Sequence, residues 1–297
     1  KTLLDDIKKF PTKAHPMDAA RTAVSIMGLE DKETKDNSPK ANMRKVMRIF
    51  AKTPVALAAY YRTRKGKKII PPKSNLSFSE NFFYMCFGKI PEKDIVKAFD
   101  VSLILYAEHS FNVSTFTART ITSSLSDIHG AITGAIASLK GPLHGGANEE
   151  VMHMMNKIKK PENALKWINK ALDNKDVVMG FGHRVYKSGD SRVPTMREYF
   201  GKVAKIKKDK KFKKIYDIVE KVMIERKNIY PNVDYPTGPT YHLMGFDTDF
   251  FTPIFVISRI TGWSAHIFEQ HAANKLIRPL ASYNGSQYRK VVQLNKR

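Results

Sequence analysis

The chain of 297 residues has only one cysteine, Cys86, which lies inside the apolar run FFYMCFG. A single thiol cannot build a disulfide framework or a multi-cysteine metal site within one chain, so both classes are excluded. The apolar setting predicts a buried, inert thiol. The sequence also lacks an H-E-x-x-H pair, a P-loop and a dinucleotide-binding glycine fingerprint. We therefore expect no catalytic metal.

Long apolar runs are missing as well. No uninterrupted segment approaches the ~20 residues that cross a bilayer. The longest candidate, TITSSLSDIHGAITGAIASL, contains Asp127 and His129 and predicts a buried helix. No signal peptide is visible, so we expect a cytoplasmic protein. The chain does not begin with methionine, and KTLLDDIKKF predicts entry into a helix, so we infer that an N-terminal segment is missing from this numbering.

Acidic residues are scarce: 28 Asp and Glu stand against 51 Lys and Arg, a formal net charge of +23. Such a balance raises nucleic acid as a partner. The densest basic run, KVAKIKKDKKFKKIYDIVEKVMIERK, lacks interleaved aromatic stacking residues and any zinc-finger or glycine-rich RNA motif. A solvated, lysine-biased surface is the favoured interpretation, and anionic small substrates would also benefit from the positive field.

Strand patterns are rare, whereas apolar residues recur at helical spacing along the whole chain, which predicts an all-α protein. The stretch SPKANMRKVMRIFAKTPVALAAYYRTRKGKK predicts helices that break near Pro54, and KPENALKWINKAL predicts a helix that starts at a proline. The nearly uniform apolar segment FTPIFVISRITGWSAHIFEQHAANK is predicted to be buried, in a core or in a subunit interface. Residues 155–230 are richer in lysine and predict a smaller, more mobile subdomain.

Four short segments place ionisable residues among glycine, proline and small residues. Glycine permits close approach of the backbone to a ligand, and histidine titrates near neutrality. Two arginines interrupt apolar sequence further on, where they require a carboxylate or phosphate partner. Each signal is weak alone, but together they are hard to explain by packing. The residues are His109, Asn112 and Ser114; His144; His183, Lys187 and Arg192; Asp234; and Arg259 and Arg278.

The motifs GPLHGGANEEV, GFGHRVYKSGDSR, NVDYPTG and FTPIFVISRITGWSAHIFEQ…IRP together resemble the citrate synthase family, in the family's order and from about residue 10 to the C-terminal end. The segments LILYAEHSFNVSTFTAR, GDSRVPTM and YHLMGFD resemble its bacterial 2-methylcitrate synthase branch. Citrate synthase proper is the first alternative. A catalytically silent member or a basic nucleic-acid-binding helical protein is the alternative from another class.

The resemblance implies an all-α fold of two domains, in which a small domain (147–249) is inserted into a large one (1–146 and 250–297). It implies a homodimer in which Arg278 reaches the partner's site. The reaction that it implies joins propionyl-CoA, or acetyl-CoA, to oxaloacetate and then hydrolyses the thioester. No cofactor is expected, because the acyl-CoA is a substrate.

The resemblance also assigns roles to residues. Asp234 would be the base that removes the α-proton, His144 the donor to the thioester oxygen, and His183 the proton donor to the oxaloacetate carbonyl. Oxaloacetate would be held by His109, Arg192, Arg259 and Arg278. Ser114 would orient His144 by a hydrogen bond, and Asn112 is the other supporting residue. The segment VVMGFGH would receive the CoA adenine, and the CoA-binding residues expected are Val178, Met179, Gly180, Phe181, Gly182 and Lys187.

Overall fold

The computed structural model describes residues 2–141, 144–183, 185–186 and 189–297. Across these ranges the chain forms thirteen α-helices and two short 3₁₀ turns, with no strand beyond one isolated bridge between Phe181 and Pro231. The all-α prediction is confirmed. The helices are α1 (Thr2–Ile7), α2 (Pro16–Glu30), α3 (Pro39–Thr63), α4 (Phe78–Phe87), α5 (Lys93–Tyr106), α6 (Val113–Ser123), α7 (Ile128–Leu139), α8 (Ala147–Ile158), α9 (Pro161–Asp173), α10 (Val193–Ile206), α11 (Lys211–Lys227), α12 (Asp234–Leu243) and α13 (Phe251–Ala272).

Side chains that cap the first turn set several helix starts. Asn112 caps α6, and Asp127 caps α7 by accepting the backbone N–H of Gly130. Such a cap satisfies an N–H that has no partner inside the helix. The single buried helix expected across TITSSLSDIHGAITGAIASL is therefore wrong, because Asp127 starts a second helix there. Pro161 opens α9 at its first position, as predicted.

Pro54 does not break the helix that contains it. Helix α3 runs without interruption from Pro39 to Thr63, so the break predicted near this proline is wrong. Proline removes one backbone hydrogen bond and costs about 3 kcal/mol inside a helix. Here the neighbouring residues Ile49 and Leu57 are buried in the core, and this packing holds the helix together across the defect.

Helix α13 is the central element of the core. It packs against α3, α5, α6, α7 and α8, and most of its side chains are buried. The predicted burial of this segment is confirmed. Its cover comes from helices of the same chain, so its apolar character gives no support to a subunit interface.

Helices α8 to α12 pack largely on one another, through the pairs α8–α12, α9–α11 and α10–α12. One hydrophobic cluster nevertheless joins them to the rest of the chain. The division into domains at residues 147 and 249 stays a prediction. Residues 273–297 follow α13 as an almost entirely exposed tail. None of the described helices is both long and apolar enough to cross a membrane.

Candidate active site

The predicted histidines, the aspartate and two of the arginines converge on one region, most of them from loops and helix ends, whereas Arg259 reaches it from within α13. His109 follows the C-terminal end of α5, and His144 precedes the start of α8. Asp234 is the first residue of α12. Contacts between the residues, described below, show that the sequence islands meet in space although they are far apart along the chain.

His144 is held by Ser114. The backbone N–H of Ser114 donates to Nε2 of His144 at 3.1 Å, and the Ser114 hydroxyl lies 2.9 Å from the same nitrogen. A nitrogen that accepts a backbone N–H carries no proton, so the neutral ring has its proton on Nδ1. Burial, followed by the positive charge of Arg259, lowers the pKa of His144 to about 4. His144 is therefore a neutral hydrogen-bond donor at physiological pH.

Ser114 is itself fixed by two neighbours. The indole Nε1 of the fully buried Trp263 donates to its hydroxyl oxygen at 3.1 Å, and Oδ1 of Asn112 lies 2.8 Å from that oxygen. Asn112 also caps α6 by accepting the N–H of Thr115. Ser114 thus contacts His144, the residue that it is expected to orient. The supporting roles of Ser114 and Asn112 stay predictions, whereas Trp263 was not predicted.

His183 and His109 contact each other directly. Backbone N–H groups of Val185 and Tyr186 donate to Nδ1 of His183 at 3.0 and 3.2 Å, so the neutral His183 ring carries its proton on Nε2. That Nε2–H faces Nε2 of His109 at 2.9 Å. Burial, then the charge of Arg192, lowers the pKa of His109 to about 4, and burial also lowers the pKa of His183. A ligand oxygen that displaced His109 from this contact would therefore accept the Nε2–H of His183.

Asp234 accepts a hydrogen bond from a residue that the sequence did not single out. The Tyr106 hydroxyl donates to Oδ1 of Asp234 at 2.5 Å. Asp234 is only partly exposed. Burial raises its pKa above the ordinary value, and the hydrogen bond from Tyr106 acts in the opposite direction. A carboxylate at the start of α12 also lies at the positive end of the helix dipole.

Arg192 forms an ion pair within its own loop. Its Nε and Nη2 donate to the two carboxylate oxygens of Asp190 at 2.9 and 2.7 Å. Asp190 is buried and also accepts the backbone N–H of Val233 at 3.1 Å, which ties the loop to the residue before Asp234. Asp190 was not predicted, although it stands in the GDSR motif two residues from Arg192.

Arg259 has no comparable partner. It is 2 % exposed, and its Nε donates to the backbone carbonyl of Tyr106 at 2.6 Å. Within the described ranges no carboxylate oxygen lies within 4.0 Å of its guanidinium nitrogens. Burial, followed by repulsion from Arg192, lowers the pKa of Arg259 to about 10. A buried guanidinium without a counter-charge is costly, and an anionic ligand would remove that cost.

The loop expected to receive CoA is fastened to the segment before Asp234. Gly180 has φ +83°, and an added Cβ would collide with Val151 and Tyr235. Its carbonyl accepts the N–H of Asn232 at 2.9 Å, and the Asn232 amide donates to the Gly182 carbonyl at 3.0 Å. The path of residues 178–182 and the position of Asp234 therefore depend on each other. The CoA contacts themselves stay predictions, and Lys187 lies outside the described residues.

Arg278 does not join the site within one chain. It is exposed in the tail after α13, as are Leu280, Tyr283 and Tyr288 nearby.

The described residues also contain no group of three or more His, Cys, Asp or Glu side chains placed to hold a metal ion. The site thus combines neutral imidazoles, one half-shielded carboxylate and one uncompensated guanidinium.

The sequence model described as "Citrate synthase, C-terminal domain" matches residues 1–280. The chain belongs to the citrate synthase family. Among its curated relatives is 2-methylcitrate synthase 2 of Corynebacterium glutamicum, which is 54% identical over 99% of this chain and 78% of its own length. Another is the citrate synthase of Mycolicibacterium smegmatis, 51% identical over 96% of this chain and 76% of its own length.

The family fold is also seen in solved structures. One is the ternary complex of carboxymethyl coenzyme A and oxaloacetate with citrate synthase from Thermoplasma acidophilum, with a TM-score of 0.91 and 32% identity. That match covers all of this chain and 80% of the other. The relatives give no support to a nucleic-acid-binding function, so the charge of this family member is best interpreted as a lysine-biased surface.

Proposed function

We propose that this enzyme condenses an acyl-CoA with oxaloacetate, with propionyl-CoA as the acyl donor and 2-methylcitrate as the product. The observation that carries the proposal is the site itself. A carboxylate and a neutral imidazole donor lie in the same region as a buried guanidinium that lacks a counter-charge. Relatives named citrate synthase and 2-methylcitrate synthase support the same acyltransferase chemistry.

The first step is proton transfer from the acyl α-carbon to Asp234. A thioester α-proton is far less acidic than a carboxylic acid, whose reference pKa is about 3.9 for aspartate. Burial raises the pKa of Asp234 and so makes it a stronger base. The thioester oxygen becomes negative as the enolate forms, and the Nδ1–H of His144 stabilises it by a hydrogen bond.

The second step forms the carbon–carbon bond. The enolate carbon attacks the ketone carbon of oxaloacetate, and the ketone oxygen takes the Nε2 proton of His183 to become a hydroxyl. That proton faces His109 in the free enzyme, so the substrate oxygen takes the place of one imidazole. Water then gives one proton back to His183 and adds as hydroxide to the thioester carbonyl. The C–S bond breaks, the CoA sulfur takes the proton that Asp234 holds, and the new carboxylic acid releases its proton to solvent, which restores Asp234 and His183.

Oxaloacetate is bound through its two carboxylates. Arg259 is available as one ligand, and Arg192 presents a guanidinium whose orientation Asp190 fixes. We propose that the partner in a homodimer supplies Arg278 as a further ligand, since this arginine stands on an exposed tail with large apolar side chains. A two-fold arrangement would make two such crossings at once.

The proposed domain division assigns the site to two bodies. His144 and Arg259 belong to residues 1–146 and 250–297, whereas His183 and Asp234 belong to residues 147–249. Closure of one body on the other would exclude water from the enolate. The loop 178–182 would carry the adenine of CoA into the same cleft. The absence of any cofactor requirement stays a prediction.

Steady-state kinetics with oxaloacetate and either propionyl-CoA or acetyl-CoA test the proposal, with release of free CoA as the readout and mass spectrometry to identify the product. A higher kcat/KM with propionyl-CoA is expected. One methylene in an apolar pocket is worth only ~1–3 kcal/mol, so both donors should react. A preference for acetyl-CoA would assign the enzyme to citrate synthase proper, and no CoA release with either donor would refute the condensation.

Two variants check the base. Asp234→Asn should lower kcat by about 10²–10⁴-fold while oxaloacetate still binds. Asp173→Asn is the matched control, because that aspartate is exposed on α9 and pairs only with Arg226 among the described ion pairs. Equal activity of the two variants would remove Asp234 from its role.

A further inference from the structure

Side chains on one face of helix α13 form hydrogen bonds with the C-terminal end of α5. The Ser258 hydroxyl donates to the Leu103 carbonyl, and Nε of Arg259 donates to the Tyr106 carbonyl. The last carbonyls of a helix have no partner within it. Here a single turn of α13 satisfies two of them, so the segment that follows α5 is fixed relative to α13. That segment is residues 107–109, and it ends at His109.

Gly262 is the point of closest approach. Although it lies inside α13, its N–H donates to the Ala107 carbonyl at 3.1 Å. A Cβ at this position would overlap that same carbonyl oxygen and would lie 3.1 Å from the Cα of Glu108. The obstructing atoms are backbone, which cannot turn aside as a flexible side chain can. Any larger residue must therefore push the 107–109 segment away from α13.

Glu108 is held to the same face of α13 one turn further on. Nη1 of Arg119 donates to Nδ1 of His266 at 3.1 Å, since a guanidinium can only donate. The His266 proton is then on Nε2, which donates to Oε1 of Glu108 at 3.0 Å. Arg259, Gly262 and His266 are spaced three and four residues apart, so they share one side of the helix.

We propose that Gly262 is a positioning residue for oxaloacetate, with His266 as its support. The bare backbone at Gly262 lets the 107–109 segment lie against α13, which sets the position of His109 relative to Arg259. Both of these residues are assigned to oxaloacetate, so the inference rests on the proposed function for the identity of the ligand. Neither Gly262 nor His266 needs to contact the substrate.

The variant that tests this is Gly262→Ala, and Gly201→Ala is its matched control. Gly201 also lies inside a helix, α10, and an added Cβ there meets no atom within 4 Å. The measurements are oxaloacetate affinity by calorimetry without acyl-CoA, the KM for acyl-CoA, and helix content by circular dichroism. Misplacement of a substrate-positioning group by about 1 Å can cost an enzyme as much as 10²-fold in rate, so a smaller but measurable loss of substrate affinity is expected. We expect Gly262→Ala to weaken oxaloacetate binding at least ~10-fold, whereas the KM for acyl-CoA should change less than ~2-fold.

Gly201→Ala should leave both values unchanged. A folded Gly262→Ala variant with parental oxaloacetate affinity, or with equal losses for both substrates, would overturn the inference. If Gly262→Ala does not fold, His266→Ala decides, because it removes the imidazole that holds Glu108 and adds no volume at the contact. It should weaken oxaloacetate binding selectively, and parental affinity would overturn the inference. A parent enzyme that binds no oxaloacetate would instead remove the proposed function, and this inference with it.

Discussion

Replacing Tyr106 by phenylalanine tests the electrostatics of the candidate base with a very small change. The Tyr106 hydroxyl donates to Oδ1 of Asp234 at 2.5 Å, and this bond opposes the burial that raises the pKa of Asp234. The variant keeps the ring in place and removes one donor from the carboxylate. The pKa of Asp234 should therefore rise further above its ordinary value.

The size of the effect follows from the bond that is lost. A hydrogen bond to a charged group contributes about 1.5–3 kcal/mol, which is a factor of about 10 to 150 in an equilibrium constant at 25 °C. Asp234 acts in its ionised form, so activity is lost as pH falls through its pKa. In Tyr106→Phe this loss should begin at a higher pH. On the acid limb kcat/KM should fall below the parent value by about that factor, and on the plateau the difference should be much smaller.

The assay is kcat/KM for acyl-CoA against pH, between about pH 5 and 9, with oxaloacetate saturating. Tyr60→Phe is the matched control: this tyrosine is also buried, but its hydroxyl donates to the carbonyls of Pro11 and Ala14, both at 2.8 Å. It should keep the parent profile. An unchanged acid limb in Tyr106→Phe would show that this hydrogen bond does not control the base, and the reasoning from burial would fail with it.

Three further predictions concern the substrate ligands and the assembly. Arg192→Lys should weaken oxaloacetate binding about tenfold or more in calorimetry, because lysine keeps the charge but loses the planar fork that Asp190 orients; unchanged affinity would remove Arg192 from the site. Refolding an Asp234→Asn chain with an Arg278→Ala chain should restore part of the activity that each lacks, and mixed dimers without activity would show that Arg278 acts within its own subunit. Small-angle scattering should show compaction with oxaloacetate and a non-reactive CoA analogue, whereas a constant radius of gyration would contradict closure of residues 147–249 on the remainder.

Most of the fold could be predicted because helical spacing and caps are local signals. Prolines at helix starts, such as Pro161, and the apolar run of α13 needed no tertiary information. Pro54 shows the limit: its local cost predicts a break, but burial on both sides of it outweighs that cost. The cap at Asp127 was visible in the sequence, yet the apolar pattern around it predicted one helix in place of two.

Site residues could be predicted where an ionisable side chain stands in sequence surroundings that are unusual for it. Histidines beside glycines and arginines within apolar runs met this condition. Tyr106 did not, because a tyrosine near the end of an apolar helix has the pattern of a core residue. Its partner Asp234 lies 128 positions away, and only the packing of α5 against α12 brings them together. The proton positions on His183 and His144 likewise depend on backbone N–H groups that no sequence pattern specifies.

The charges of the site favour a contribution from a second chain. Burial makes His144, His109 and His183 poor proton acceptors, so their neutral rings supply no positive charge at neutral pH. Asp190 already neutralises much of the charge of Arg192, which leaves Arg259 as the uncompensated cation among the described site residues. Oxaloacetate carries two carboxylates, and Asp234 adds a third negative group beside them. One free guanidinium cannot balance this set. Among the described site residues no second uncompensated cation is present, so we expect the exposed Arg278 of a partner chain to supply one in the proposed two-fold dimer.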